Sequence, residues 1–291
     1  MRVGVVVLPE LPWAQARTQW RRLDEWGYDS AWTYDHLAWR SLADGPWFAT
    51  VPTLSAAALV TSRIRLGTFV ASPNFRHPVP FAKELMTLDD LSGGRFTLGV
   101  GAGGTGVDTI VLGDPELTPR QRVDRFAEFV ELLDRLLTVP RTTYAGEWFT
   151  ADDARMIPGC VQQPRLPFVV AANGPRAMRV TAKHGQGWVT NGDPSLDDET
   201  RWWASLSESS DRLDEALATE GRETTDVQRL LSVDSSGIFG LASVEHLREV
   251  LGKSAERGFD EVVVHWPRAD GVYAGDVAVL DRVATDVLPT L

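Results

Sequence analysis

The amino-acid sequence predicts an α/β protein that folds as a single (β/α)8 barrel over residues 1–291. Eight short apolar runs alternate with eight stretches of helical periodicity, which favours a barrel over an open sheet. Residues 64–104 run strand, helix, strand, the order of one right-handed βαβ unit with parallel strands. Barrels of this kind commonly reach the length of this chain, 291 residues, as one domain.

Four strands and four helices are predicted in the first half of the chain. β-branched and aromatic residues mark the strands, and apolar residues three or four positions apart mark the helices. Gly27 and Gly93 end two of the helices, because glycine readily takes the left-handed conformation of a helix end. The predicted strands are residues 2–8, 29–34, 64–72 and 95–100, and the predicted helices are residues 13–26, 51–61, 81–91 and 120–138.

The second half continues the alternation after one interruption. Residues 142–164 are long for a barrel connection and contain YAGEWF, which predicts a small hairpin insertion between strands 4 and 5. The remaining strands are predicted at residues 168–172, 187–190, 229–233 and 261–265; one helix begins at Pro175, and the others cover residues 197–220, 244–257 and 276–288.

Composition excludes several classes of protein. The formal net charge of −11 argues against a nucleic-acid-binding surface. No apolar run approaches the ~20 residues that cross a membrane. Cys160 is the only cysteine, which excludes an intrachain disulfide and favours a reducing compartment. The sequence opens directly with the strand-like RVGVVVL rather than a signal peptide, so we expect a cytoplasmic protein.

Unusual residues follow the predicted strands, at the end of the barrel where active sites of this fold are built. Glycines after a buried strand, such as Gly101 and Gly103, let a planar ligand lie against bare backbone. The other groups at strand ends are Asp35-His36, Ser72-Pro73-Asn74, Asn173-Gly174, Thr190-Asn191-Gly192 and Trp266.

His36 is the first candidate for proton transfer. An imidazole has an unperturbed pKa of about 6.5, so it can give or take a proton near neutral pH. Asp35 would orient the imidazole or bind nearby backbone. The alternative is structural, with His36 capping a helix or packing.

Asn173-Gly174-Pro175 lies between a predicted strand and a helix N-terminus. Free amides and the helix dipole at such a place make a phosphate site, and Gly192 offers a second patch of bare backbone. The alternative is a plain strand-to-helix turn in which proline takes the first helical position.

Aromatic residues in loops near the barrel mouth are candidates for stacking on a planar substrate. The substrate-pocket candidates are Trp39, Trp47, Phe75, Trp148 and Trp266. Tryptophans within predicted helices, such as Trp20 and Trp202, are interpreted as packing or interface residues.

Two motifs carry a resemblance to a known family. LGT-x-V-x-x-P-x-x-RHP at residues 66–78, followed by AK-x-x-x-TLD-x-LSGGR-x-x-LGVGAG at 82–103, resembles the bacterial-luciferase-like family of flavin- and deazaflavin-dependent oxidoreductases. The resemblance implies a luciferase-like barrel and a flavin-type cofactor, either the deazaflavin coenzyme F-420 or FMN. In the deazaflavin-using members a DH pair supplies the active-site histidine, which here is His36.

The same resemblance implies cofactor-binding residues. Members hold a non-proline cis peptide at the end of the third strand, behind the central flavin ring. Here that bond would be Phe69–Val70 or the next one, which adds Ala71 to the candidates. The loops after strands 5 and 6 hold the phosphate in the family, and this implicates Ala171, Ala172, Asn173, Gly174 and Thr190.

Two positions depart from a subgroup that oxidises sugar phosphates. That subgroup has an acidic glutamate where this chain has Gly104, and an asparagine where it has Val107. A sugar-phosphate substrate is therefore not expected.

The leading hypothesis is a deazaflavin-dependent oxidoreductase that moves a hydride to or from a small organic substrate, with His36 as the acid/base. One alternative is an FMN-dependent monooxygenase that uses O2 and reduced flavin from a partner reductase. A second is a non-catalytic flavin-binding relative. The resemblance also implies a homodimer; no metal is expected.

Overall fold

Eight parallel strands close into a barrel, which confirms the predicted (β/α)8 fold. The structure is a computed structural model that describes residues 1–196, 198–234, 237 and 239–291. The strands are β1 (Arg2–Val6), β2 (Ser30–Thr33), β3 (Arg65–Thr68), β4 (Phe96–Gly101), β5 (Arg141–Ala145), β6 (Thr150–Arg155), β7 (Phe168–Ala171), β8 (Gly187–Thr190), β9 (Gln228–Ser232) and β10 (Glu261–His265). Strands β5 and β6 form a separate hairpin, and β1 pairs with β10 to close the ring.

Helices follow the barrel strands at the predicted places. They are α1 (Trp13–Trp26), α2 (Thr50–Val60), α3 (Pro78–Leu91), α4 (Val107–Ile110), α5 (Pro119–Thr138), α6 (Pro175–His184), α7 (Glu199–Thr219), α8 (Val244–Ala255) and α9 (Val277–Asp286). The short α4 was not predicted, and the predicted start of the helix at Asp197 lies outside the described residues. Within the part of the chain that the structure describes, no helix is long and apolar enough to cross a membrane.

Strand β3 is shorter than predicted. It ends at Thr68, although Ala71 still forms an isolated parallel bridge with Val100 of β4. The Phe69–Val70 peptide is cis, at the first of the two bonds that the resemblance allowed. The backbone after β3 therefore leaves the regular ladder where the candidate cofactor-binding residues begin.

A tryptophan side chain fills the interior of the barrel. Trp32 of β2 is buried among aliphatic residues of other strands, and its Nε1 donates to Ser30 Oγ at 2.6 Å. A Cβ atom on Gly67 would lie 2.4 Å from the Trp32 ring, so only glycine fits at that position of β3. Because the interior is filled, a ligand has room only beyond its two ends.

The predicted hairpin insertion is also confirmed. Strands β5 and β6 pair antiparallel between β4 and β7. Glu128 of α5 holds the turn, accepting the N–H groups of Glu147, Trp148 and Phe149 at 2.7–3.1 Å.

Candidate active site

A cavity of about 520 Å³ opens at the carboxyl ends of the barrel strands. The residues that line it are Tyr34, His36, Trp39, Arg40, Phe69, Val70, Ala171, Ala172, Asn173, Val189, Thr190, Asn191, Pro194, Ser232, Asp234, His265, Val272 and Tyr273. Many sequence candidates are thus brought together, and the volume suits a planar ligand of cofactor size.

A second cavity, of about 730 Å³, lies at the opposite end of the barrel. Residues from the starts of the strands line it, among them Arg2, Arg65 and Glu261. We assign the active site to the smaller cavity, because sites in this fold lie at the carboxyl ends of the strands and because His36 is there.

His36 is held by an acidic residue that the sequence analysis did not select. Its Nδ1 is hydrogen-bonded to a carboxylate oxygen of Asp108, in α4. The other oxygen of Asp108 accepts the N–H of Leu37 at 2.7 Å. A carboxylate only accepts hydrogen bonds, so the proton of a neutral His36 ring belongs on Nδ1. Nε2 is then the nitrogen that can exchange a proton.

Asp35 does not orient His36, contrary to one of the expectations. Its carboxylate is buried and binds Arg76 through two hydrogen bonds, of 2.7 and 3.1 Å. Arg76 also reaches Glu84 at 3.0 Å. Burial alone would lower the pKa of Arg76, but the hydrogen bond and charge of Asp35 outweigh it and raise that pKa. This pair fixes the loop after β3 against the start of the His36 loop.

Aromatic rings form one wall of the cavity. Tyr34 lies edge-on to His36, with 5.8 Å between ring centroids, and it also contacts Trp39. Trp39 in turn stacks on Tyr273. Trp47 lies behind this wall, where its Nε1 donates to the His36 carbonyl at 2.8 Å. Trp39 is therefore placed to contact a ligand, whereas Trp47 supports the loop.

The floor of the cavity contains Phe69 and Val70, on either side of the cis peptide. Gly101 lies behind Val70, since a Cβ on it would be 3.0 Å from the Val70 side chain. A Cβ on Gly103 would be 2.6 Å from the Asn74 amide. The two glycines thus make room for protein side chains, rather than offering bare backbone to a ligand as predicted.

The loops after β7 and β8 form the opposite edge. Helix α6 begins after Gly174, which has no side chain that could cap the first turn. Thr190 Oγ1 donates to Asn173 Oδ1 at 2.8 Å and accepts the Gly192 N–H at 3.1 Å. The uncapped N–H groups and the helix dipole make this edge suitable for a phosphate.

Several predicted site residues pack elsewhere. Trp266 is buried and stacks on Trp26 at 6.1 Å, on the outside of the barrel. Trp148 packs on the outer hydrophobic core, and the Phe75 ring lies under Arg76. Gly192 makes room for Trp202, whose Nε1 would be 2.5 Å from a Cβ there.

A cluster of polar side chains that was not predicted from the sequence also lies at the cavity. His265, the last residue of β10, binds Asp234 and Tyr34, and Tyr34 binds Tyr273. The position of His265 at a strand end was a usable signal, equal to that of His36, but the neighbouring Trp266 was selected instead. Asp234 carried the same signal, because it directly follows the strand predicted at residues 229–233, whereas nothing local in the sequence marks Tyr273 or Asp108.

Comparison with known proteins identifies the family. Residues 1–235 match the family described as luciferase-like monooxygenase. An F-420-dependent glucose-6-phosphate dehydrogenase from Beutenbergia cavernae is 30% identical, with 91% of this chain and 89% of the relative covered. A 4-hydroxyprotoasukamycin monooxygenase from Streptomyces nodosus subsp. asukaensis is 36% identical over 65% of this chain and only 51% of that enzyme.

A solved structure shares the fold. The coenzyme F-420-dependent tetrahydromethanopterin reductase from Methanopyrus kandleri superposes with a TM-score of 0.78 at 17% identity, covering 99% of each chain. The family match, however, rests on the sequence and spans most of the barrel, from β1 through β9. The chain therefore belongs to the luciferase-like monooxygenase family and is an oxidoreductase.

Proposed function

We propose that this oxidoreductase uses a deazaflavin, coenzyme F-420, to move a hydride to or from a small organic substrate, with His36 exchanging the accompanying proton. The observation that carries the proposal is the His36–Asp108 hydrogen bond at the edge of the cavity. It leaves Nε2 of His36 as the nitrogen that can act as acid or base. Family membership already implies an enzyme, so we set the non-catalytic alternative aside.

The residues around the cavity fit a ring-and-phosphate cofactor. Phe69 and Val70 supply an apolar floor, and the uncapped start of α6 beside Asn173 and Thr190 supplies donors for a phosphate. When bound, a deazaflavin provides a two-electron hydride carrier, while the protein supplies position, polarity and exclusion of water. We propose that Ala171, Ala172 and Gly174 also lie along the cofactor.

Two observations favour the deazaflavin over FMN. The relative that covers nine-tenths of this chain is F-420-dependent. The DH pair of the deazaflavin-using members is present as Asp35-His36. The substrate of that relative is not part of the proposal, because Gly104 and Val107 replace the acid and amide of the sugar-phosphate subgroup.

A monooxygenase is the second candidate. The relative from Streptomyces nodosus, 36% identical over 65% of this chain, favours it. In that case FMN would occupy the same cavity, and a partner reductase would supply reduced flavin. The Tyr34–Trp39 wall would then serve to keep water from the ring.

A binding titration separates the two candidates. Purified protein is titrated with oxidised F-420 and with FMN, and quenching of the fluorescence of its eleven tryptophans is followed. We expect tighter binding of F-420, followed by F-420 turnover without oxygen consumption. Tight FMN binding with oxygen-dependent turnover would overturn the proposal in favour of the monooxygenase, and failure of both ligands to quench would overturn both.

We also propose a cytoplasmic homodimer. The lone Cys160 is buried, which fits a reducing compartment. Apolar side chains of Leu11, Trp13 and Phe48 form a groove of about 320 Å³ on the outside of the barrel, a surface that a second copy would cover. Light scattering tests this, and a monomer at micromolar concentration would contradict it.

A further inference from the structure

Four polar side chains form a chain of hydrogen bonds that ends at the cavity. Asp234 binds Nδ1 of His265 at 2.6 Å, and Nε2 of His265 lies 2.8 Å from the hydroxyl of Tyr34. The Tyr34 hydroxyl lies 2.9 Å from that of Tyr273, which lines the cavity. The residues come from β10 and from the segments after β2, β9 and β10, so only the closed barrel brings them together.

The donor and acceptor at each step can be deduced. Asp234 accepts the backbone N–H groups of His265 and Gly240, at 2.8 and 2.7 Å, as well as Nδ1 of His265. Because the carboxylate only accepts, Nδ1 carries a proton, and Nε2 of the neutral ring is an acceptor. Tyr34 therefore donates to His265, and its oxygen accepts the hydroxyl of Tyr273. The Tyr273 oxygen is left able to accept one more hydrogen bond from the cavity.

Burial keeps the two phenols protonated. The side chains of Tyr34, His265 and Asp234 are buried, while Tyr273 is partly exposed and stacks on the His265 ring at 3.6 Å between centroids. Burial raises the pKa of Tyr34 well above its usual value. Burial also raises the pKa of Tyr273. Neither phenol is thus an anion near neutral pH. Each can pass a proton on only by giving up its own hydroxyl proton as it accepts another.

We propose that Tyr273 is a second proton-transfer residue of this site, which takes the proton of a substrate hydroxyl and passes it through Tyr34 to His265. Tyr34, His265 and Asp234 act through Tyr273 and are positioning residues. The inference rests on the proposed function and deepens it, since it requires a substrate whose reacting carbon bears a hydroxyl or, in the reverse direction, a carbonyl.

The transfer balances as follows. The hydroxyl proton of the substrate bonds to the Tyr273 oxygen as the Tyr273 proton moves to Tyr34 and the Tyr34 proton moves to Nε2 of His265. Each phenol breaks one O–H bond and forms another, so only the imidazole gains charge, next to the Asp234 carboxylate. The hydrogen on the substrate carbon leaves with its bonding electrons as a hydride, for which a bound oxidised deazaflavin would be the acceptor, and a carbonyl remains. In the reverse direction His265 begins as the cation.

The proton relay formed by Tyr273, Tyr34, His265 and Asp234 is distinct from the His36–Asp108 pair. His36 reaches the cavity from the loop after β2, and it meets Tyr34 only at a ring edge. The hydrogen bonds of Tyr34 go instead to His265 and Tyr273. The site therefore has two proton-exchanging groups, on separate side chains with separate carboxylates. The relay would serve the substrate hydroxyl, and His36 would serve the proton that accompanies reduction of the deazaflavin.

The first test needs neither cofactor nor substrate. ¹⁵N-labelled protein is examined by two-bond ¹H–¹⁵N correlation, which distinguishes the tautomers of its five histidines. We expect a neutral His265 with the proton on Nδ1, and a shift of the Nε2 resonance when Tyr34→Phe removes its donor. Tyr144→Phe, on hairpin strand β5, is the control and leaves the resonance in place. A proton on Nε2 or a cationic His265 at neutral pH would overturn the relay.

The second test measures turnover. With F-420 and a panel of primary and secondary alcohols, Tyr273→Phe is expected to lower kcat about 100-fold, with the cofactor Kd unchanged by fluorescence. The Tyr34→Phe/Tyr273→Phe double variant should be no slower than Tyr273→Phe alone, because the two groups act in series. Tyr144→Phe should match the wild type.

Three results would overturn the inference. The first is a kcat of Tyr273→Phe within threefold of the wild-type value, and the second is a double variant in which the two single effects multiply. The third is no turnover of any alcohol. The cofactor titration decides the proposed function separately. Weak F-420 binding would count against that function, while the His265 tautomer in the free protein would still report on the relay.

Discussion

His36 and Asp108 are joined by a hydrogen bond from the imidazole Nδ1 to a carboxylate oxygen, although 72 positions separate them in the chain. Asp108 is largely buried, and its other oxygen binds the backbone N–H of Leu37, so the carboxylate is held from two sides. This arrangement sets both the orientation and the tautomer of His36, which is what an acid/base imidazole needs.

Replacing Asp108 with asparagine tests that relationship. An asparagine can offer an N–H to Nδ1, which would move the ring proton to Nε2 and leave no acceptor facing the cavity. We expect Asp108→Asn to lower kcat about 100-fold with little change in the cofactor Kd. Asp153→Asn, on the exposed hairpin strand β6, serves as the control. Wild-type turnover by Asp108→Asn would contradict the assigned tautomer.

His36→Ala removes the proton-exchanging group itself. General acid–base catalysis contributes roughly 10²- to 10⁴-fold, so kcat should fall within that range. Cofactor binding, followed by tryptophan fluorescence, should change far less. His246→Ala, on the outer helix α8, is the matched control. Equal turnover by the His36 and His246 variants would remove His36 from the mechanism.

Asp35→Asn should lower the stability of the fold rather than the rate of the catalysed reaction. Removing the buried carboxylate from this doubly bonded ion pair costs up to about 3–5 kcal/mol of unfolding free energy, because Arg76 keeps only the more exposed Glu84 as a charged partner. Guanidinium denaturation measures the loss. Glu25→Gln, which breaks the exposed Arg21–Glu25 pair, should leave the midpoint unchanged. A stable Asp35→Asn variant with lost turnover would instead support the catalytic role expected from the sequence.

Ionisation of the Asp134 carboxyl should contribute to the stability of the protein, so this contribution should depend on pH. Burial raises the pKa of this carboxyl, but the interaction with His184, whose Nδ1 lies 3.7 Å away, and the hydrogen bond from Arg165 outweigh burial and lower the pKa from 3.8 to about 2. Since the folded-state pKa lies below the unfolded one, the contribution is present above pH 3.8 and is lost as the pH falls towards about 2.

Urea denaturation of the wild type and of Asp134→Asn at several pH values checks this. The wild type should be the more stable near neutral pH, and the difference should close as the pH falls through the window from 3.8 to about 2. A difference in unfolding free energy between the two proteins that stays constant down to pH 2 would show that the charge of Asp134 contributes nothing to stability.

Local sequence signals predicted the fold and the first catalytic candidate. The alternation of apolar runs with helical stripes requires only the backbone periods of strands and helices, and it placed every barrel strand to within a few residues. Because parallel strands all end at the same rim, the order of elements also placed His36, Asn173 and Thr190 around one cavity.

Side-chain direction in the loops was not predictable in the same way. Trp39 and Trp266 both follow strands, yet Trp39 lines the cavity while Trp266 stacks on Trp26 outside the barrel. Gly101 and Gly103 were predicted to expose backbone to a ligand, but they make room for Val70 and Asn74. The space left by an absent Cβ can be filled by a neighbouring side chain as readily as by a ligand.

The sequence alone therefore determined the barrel, the rim at which chemistry takes place and the family to which the chain belongs, since these depend on periodicity and on short motifs. Only the tertiary structure decided which carboxylate serves which histidine: Asp108 for His36 and Asp234 for His265. Those partners are 72 and 31 positions apart, and closure of the barrel, rather than any local pattern, brings their side chains within hydrogen-bonding distance.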